Sequence, residues 1–109
     1  MTHKFKVRDM CQSASGVSHI VKFSGQLLVQ PGTGIVTLHV LNTVPEVVSD
    51  QLLNQSLEYI RLGAADVLTE QQLDGVLTLL DLVIHDVDCR PFKFRDATSR
   101  AIRGLGTLS

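Results

Sequence analysis

The sequence predicts an α+β fold: a two-layer sandwich of order β-β-β-α-β-α, with both helices on one face of the sheet. Three observations predict it. Strand-like segments crowd the first forty residues, two amphipathic helical segments lie in the second half, and one nearly unbroken apolar stretch runs between them. A length of 109 residues is that of one domain, expected to span 1–109. Hydrophobic residues at 44% and charged residues at 19% exclude a disordered chain.

Each element follows from its residues. In 4–10, Phe5 and Val7 alternate with Lys4, Lys6 and Arg8, the period of a half-buried strand with a basic outer face. Gln12-Ser-Ala-Ser-Gly16 is small and polar and reads as a loop. Residues 17–23 read as a second strand, with Ser24-Gly25 as a break or bulge before 26–30. Pro31-Gly-Thr-Gly34 is a turn signal, and the β-branched segment 35–41 is expected to close a hairpin with the preceding strand. On that reading His19 and His39 sit on adjacent hairpin strands, without a metal role.

Beyond Asn42 the period changes. Thr43-Val44-Pro45-Glu46 resembles a capping box with Pro in the first turn, and Ser49 is the alternative N-cap. Val48, Leu52, Leu53, Leu57 and Ile60 then share one helical face, and Gly63 reads as a helix stop. Residues 75–84 suit a strand that is covered by helices and paired within the sheet. Pro91 opens a second helix, with Phe94, Ala97, Thr98, Ala101, Ile102 and Leu105 inward, ended by Gly104 and Gly106.

The net charge of -1 conceals a segregation. Residues 1–40 set Lys4, Lys6, Arg8 and Lys22 against Asp9 alone, and residues 41–89 set nine carboxylates against Arg61. Residues 90–109 set Arg90, Lys93, Arg95, Arg100 and Arg103 against Asp96. Two basic ends bracket an acidic middle, which leaves an anionic partner open.

Several function classes are excluded. Cys11 and Cys89 form no metal spacing, and no metal or cofactor is expected. No signal-peptide core begins the chain, so two free thiols in the cytoplasm are the expectation. No stretch is long and apolar enough to cross a membrane. There is no GxxxxGK[ST] loop, so this chain alone binds no nucleotide in the P-loop manner, and there is no GxSxG elbow. The densest polar cluster is His85-Asp86-Val87-Asp88-Cys89-Arg90. It reads as a strand-to-helix loop with Asp88 as cap, set against an acid/base site.

The stretch Leu73-Asp-Gly-Val-Leu-Thr-Leu-Leu-Asp-Leu-Val-Ile-His-Asp-Val-Asp88 resembles the fourth domain of translation elongation factor G and its relatives. The spacing from Asp81 to His85 carries the resemblance. So do the helix Phe94–Ile102 and the lead from Val44-Pro45 into the first helix. The resemblance implies a left-handed β-α-β crossover, an exception to the right-handed rule. It implies no catalysis: in the full-length factors the tip loops of this domain enter the decoding region of the small ribosomal subunit. The GTPase domain is lacking here, so translocase activity is not expected. Leu82 and Cys89-Arg90 depart from the family, as does the uncharged 12–16 loop.

The expected function is therefore that of a non-enzymatic, translation-factor-like domain associated with the ribosome or RNA. The contact candidates are Ser13, Ser15, His85 and Asp86 at the tips, and Arg90, Lys93, Arg100 and Arg103 on the basic helix. The alternative is a protein-interaction module, a homodimer or partner binder, because strand 35–41 is apolar on both faces.

Overall fold

The structure, a computed structural model, describes residues 2–11, 19–45, 47–84 and 90–108. Among the described residues five strands and two helices follow in order: β1 (Thr2–Cys11), β2 (His19–Pro31), β3 (Val36–Val40), β4 (Thr43–Val44), α1 (Asp50–Glu70), β5 (Leu73–Val83) and α2 (Lys93–Arg103). They build the expected α+β two-layer sandwich. The sheet runs β1-β2-β5-β3, with β4 also on β5. Both helices pack on one of its faces and against each other.

The in-out alternation of the strands decides which face is covered. Phe5 and Val7 of β1, Val21, Phe23 and Leu27 of β2, and Leu73, Leu77 and Leu79 of β5 are buried under the helices. Their neighbours Lys4, Lys6, Arg8, Lys22 and Leu28 are exposed on the other side. Residues at β5's alternate positions, Val76, Thr78 and Leu80, are half-buried. Being apolar on both faces, β5 takes the centre, pairing antiparallel with β2 and parallel with β3 and β4.

That central place corrects the expected hairpin. β3 does not pair with β2: β5 lies between them, and Val36–Val40 run parallel to Gly75–Leu79. His39 consequently stands opposite Thr78, a strand away from β2. A carboxylate accounts for the local geometry. Asp74 Oδ1 accepts from the backbone N–H groups of Thr33 (2.9 Å), Gly34 (3.1 Å) and Ile35 (2.9 Å). It ties the 31–34 turn to the start of β5, so β3 enters beside β5. Gly34 has φ +100, a conformation that side chains rarely adopt.

The three N–H donors hold the Asp74 carboxyl below its ordinary value of 3.8. A lowered folded-state pKa means a contribution that is full above the unfolded value and is lost as pH falls through the folded one. The stability difference between the native chain and Asp74→Asn should be constant near neutrality and shrink as pH falls below about 4. Urea titrations at a series of pH values measure this, and a difference unchanged by acid would contradict it.

Three further expectations are corrected. Of the break or bulge expected at Ser24-Gly25, the register with β5 does shift between Lys22 and Ser24, but Gly25 does not break β2; it stands directly opposite Phe5 in the β1 register. A Cβ there would lie 2.7 Å from Phe5 Cζ, so the ring fills the space that the glycine leaves. Gly63 does not stop α1; it is buried in mid-helix, where α2 crosses. Thr43-Val44 forms β4, not the first turn of α1, and Ser49 is the cap, its Oγ accepting from Leu52 N–H at 3.4 Å. Glu46 of the expected capping box lies outside the described residues.

One irregularity re-aims the end of β5. Ser24 pairs with Leu80 and Lys22 with Val83, so β5 carries one extra residue there. Asp81 takes φ 52 in this bulge, and Asn42 Nδ2 donates to its Oδ1 at 2.8 Å. The alternation shifts phase, and Leu82 and Ile84 become the buried residues after Leu79. The chain end closes the core: Leu108 is buried, with Gln71 Oε1 accepting from its N–H and His3 Nε2 donating to its carbonyl.

Candidate functional site

The placement of charge singles out one surface. On α2, three cations of the basic helix are paired. Arg95 makes a two-pronged contact with Asp66 of α1, both bonds 2.9 Å. Arg103 reaches Glu70 of α1 at 2.7 Å and Ser99 Oγ at 2.8 Å. Arg100 lies between Asp96, 2.8 Å away, and Asp9 of β1, 3.0 Å away. The Arg95 guanidinium holds the Asp66 carboxyl below its usual value. Such exposed pairs contribute about 0.2–1 kcal/mol each, so their main effect is on surface potential. Two arginines of the basic last segment, Arg95 and Arg103, are therefore neutralised by carboxylates of the acidic middle, and Arg100 by Asp9 and Asp96.

The first segment is different. Lys4, Lys6 and Arg8 project from β1 onto the open face, and Lys22 projects from β2 beside them. Arg8 stands directly opposite Lys22, Lys6 opposite Ser24, and Lys4 opposite Gln26. Among the described residues, no acidic side chain pairs with any of these four cations. Asp9, the one carboxylate of β1, points to the helix side and meets Arg100. Like charges directly opposite on a sheet repel, so this arrangement costs stability until an anion joins it.

A groove of about 440 Å³ opens on the same half-face, lined by Lys4, Phe5, Lys6, Ser24, Gly25, Gln26 and Leu80. Leu80 supplies an apolar floor; the lysines, Ser24 and Gln26 supply donors. The other half is apolar. Leu28, Ile35 and Leu41 are 50%, 65% and 68% exposed, around Thr37, His39 and Val76. Among the described residues no exposed aromatic side chain stands on either half: Phe5, which borders the groove, is 8% exposed and packs with Phe23 and Phe94 in the core, and Phe92 precedes α2.

Of the sequence-derived candidates, Ser13, Ser15, His85 and Asp86 lie outside the described residues, as do Asp88 and Cys89. Arg90 is half-buried at the entry to α2, and Lys93 Nζ stands 5.5 Å from the centre of the Phe92 ring. Arg100 and Arg103 are the paired cations above. Among the described residues no three of His, Cys, Asp and Glu converge as metal ligands, and no helix is long and apolar enough to cross a membrane. Sequence reasoning finds the basic face of the first strand but not the site. The alternation puts Lys4, Lys6 and Arg8 on one side. Only the β1–β2 register places Lys22, Ser24 and Gln26 across from them.

No family model matches the chain, and no curated protein matches it. A crystal structure of a protein from Thermus thermophilus is similar in fold, with a TM-score of 0.58 and 13% identity. The match covers 94% of this chain and 15% of that chain. The same fold thus occurs there as a small part of a much longer polypeptide.

Proposed function

We propose that this chain is a non-catalytic, RNA-associated domain of the kind that elongation factor G carries as its fourth domain, working in the cytoplasm on the ribosome or its RNA. The observation that carries the reading is the basic half of the open face, where Arg8 opposes Lys22 and, among the described residues, no carboxylate pairs with either. Clustered Lys and Arg supply sequence-independent affinity for phosphates. The resemblance of 44–105 to that domain supports the same reading, and on it the β3-α1-β5 crossover is left-handed. The similar fold over 94% of the chain supports the architecture. The test is co-sedimentation with small ribosomal subunits, together with RNA titration over a salt series. Binding that weakens steeply with salt is expected; absent or salt-independent binding overturns the reading.

A second reading rests on Leu28, Ile35 and Leu41, whose exposure on one half-face suits a protein partner or a second copy of the chain. Light scattering over a concentration series separates the two. Self-association should weaken when Ile35 and Leu41 are replaced by Ser, and a strict monomer at high concentration would remove the homodimer.

A further inference from the structure

From the geometry of the open face we infer that its β1–β2 half is a binding site for the phosphate backbone of single-stranded RNA. One strand would lie along Lys4, Lys6 and Arg8, with Ser24 and Gln26 donating to phosphate oxygens in the groove. The inference rests on the RNA-associated reading above and adds the site and the form of the ligand.

Geometry favours one extended strand over a duplex. Residues two apart on β1 are separated by about 7 Å, a spacing comparable with that of successive phosphates on an extended polynucleotide. The three cations of β1 therefore form a line that one backbone can follow. Across the sheet, the cationic stripe is two strands wide, about 5 Å. The two backbones flanking a duplex groove are farther apart than that, on the order of 6–12 Å in B-form DNA. Lys22 broadens the stripe at the Arg8 end, where like charges oppose each other.

Composition decides what is read. Single-strand platforms that recognise bases stack them on exposed aromatics, and this face has none among the described residues. Contacts therefore fall on phosphate and sugar, and the bases face solvent. Binding should be indifferent to sequence. Protection of an exposed strand edge is a separate duty of charged residues on β1. It does not account for Lys22, which lies on β2 between β1 and β5.

The experiment is an anisotropy titration of labelled single-stranded RNA across a salt series, with the full chain. Four phosphate contacts at about 0.7 each predict a log–log salt slope near −3. Lys6→Glu/Lys22→Glu should lower affinity about tenfold or more and reduce the slope by roughly 1.4. Lys6→Ala/Lys22→Ala removes the same two contacts without adding carboxylates, so it should show the same loss of slope and keeps the test open where the charge reversal perturbs folding. Both charge-reversed and native chains keep a charged edge, so an effect of edge protection alone leaves RNA binding unmoved.

Outcomes separate cleanly. Native binding with unchanged affinity in the Lys6/Lys22 variants, but loss in Arg100→Glu/Arg103→Glu, overturns this site and leaves the RNA-associated reading standing. No RNA binding by the native chain at low salt overturns that reading itself. Poly-glutamate bound in preference to RNA overturns the choice of ligand. Equal affinity for poly(A), poly(U) and poly(C) is expected, and a preference beyond about tenfold would mean base readout, against the inference.

Discussion

Phe23→Ala is expected to lower the free energy of unfolding by about 3–5 kcal/mol, the range for emptying a large aromatic site in a core. Phe23 is 1% exposed and joins three elements. Its ring meets Phe5 of β1 edge to face, with centroids 6.1 Å apart, and stacks on Phe94 of α2 at 6.3 Å. Removing it takes away buried area and leaves both neighbours facing a void. Neither can collapse freely, because Phe5 is held over Gly25 and Phe94 is fixed in α2. Stability for a domain of this kind is about 5–15 kcal/mol, so the variant stands near the limit of folding. Urea denaturation measures it: the midpoint should fall with little change in slope. A loss under about 1 kcal/mol would show that the aromatic trio does not hold the layers together.

Gly63→Ala is the second large effect, and its sign is the test. In an exposed helix interior, Gly→Ala stabilises by about 1 kcal/mol. Gly63 is instead where α1 meets the backbone of α2. A Cβ there would overlap the Arg95 carbonyl oxygen, with the Arg95 carbonyl carbon and Cα each 3.1 Å away. Backbone cannot rotate aside as a side-chain end can, so the helices must part. Overpacking of this sort costs about 1–3 kcal/mol and occasionally more. The propensity gain is outweighed, and a net loss of about 2 kcal/mol is expected for Ala, with a greater loss for Val. Parting the helices also strains the Arg95–Asp66 and Arg103–Glu70 pairs that bridge the same seam. Thermal unfolding decides the matter, and a rise in midpoint for Gly63→Ala would refute the close approach.

Gly63 also shows why part of the fold is hidden in the sequence. A glycine after an amphipathic run has two uses, as a helix terminus or as a contact point for a second helix. Local residues are the same in both cases. The difference is the position of α2, about thirty residues away. Gly25 is a similar case: a break in a strand and a seat for a cross-strand ring look alike until the register puts Phe5 opposite. The 31–34 turn reads as a hairpin because its residues are those of a hairpin turn. The carboxylate that redirects it, Asp74, comes about forty residues later.

The surface follows the same division. Charge segregation along the chain is plain, and it points equally to the first strand and the last helix. The structure separates them. Asp66 and Glu70 of α1 meet Arg95 and Arg103 of α2 and cancel them, while Lys4, Lys6, Arg8 and Lys22 stand on the opposite side of the sheet. Pairing of charges depends on distances of a few ångströms, and no count along a sequence contains those.

By itself the sequence determined the quantities that are local and periodic. These are the α+β class, the order of the elements apart from β4, the apolar faces of both helices and the basic outer face of the first strand. Period two and period 3.6 are properties of neighbouring residues, and side-chain direction follows from them. Only the tertiary structure decided the strand order with β5 at the centre, the bulge at Asp81, the role of Gly63 and which cations pair with no carboxylate among the described residues. Each of these depends on which distant segments share a register or a packing surface. That choice belongs to the whole core: the strand apolar on both faces must be paired on both sides, and every other partner is set around it.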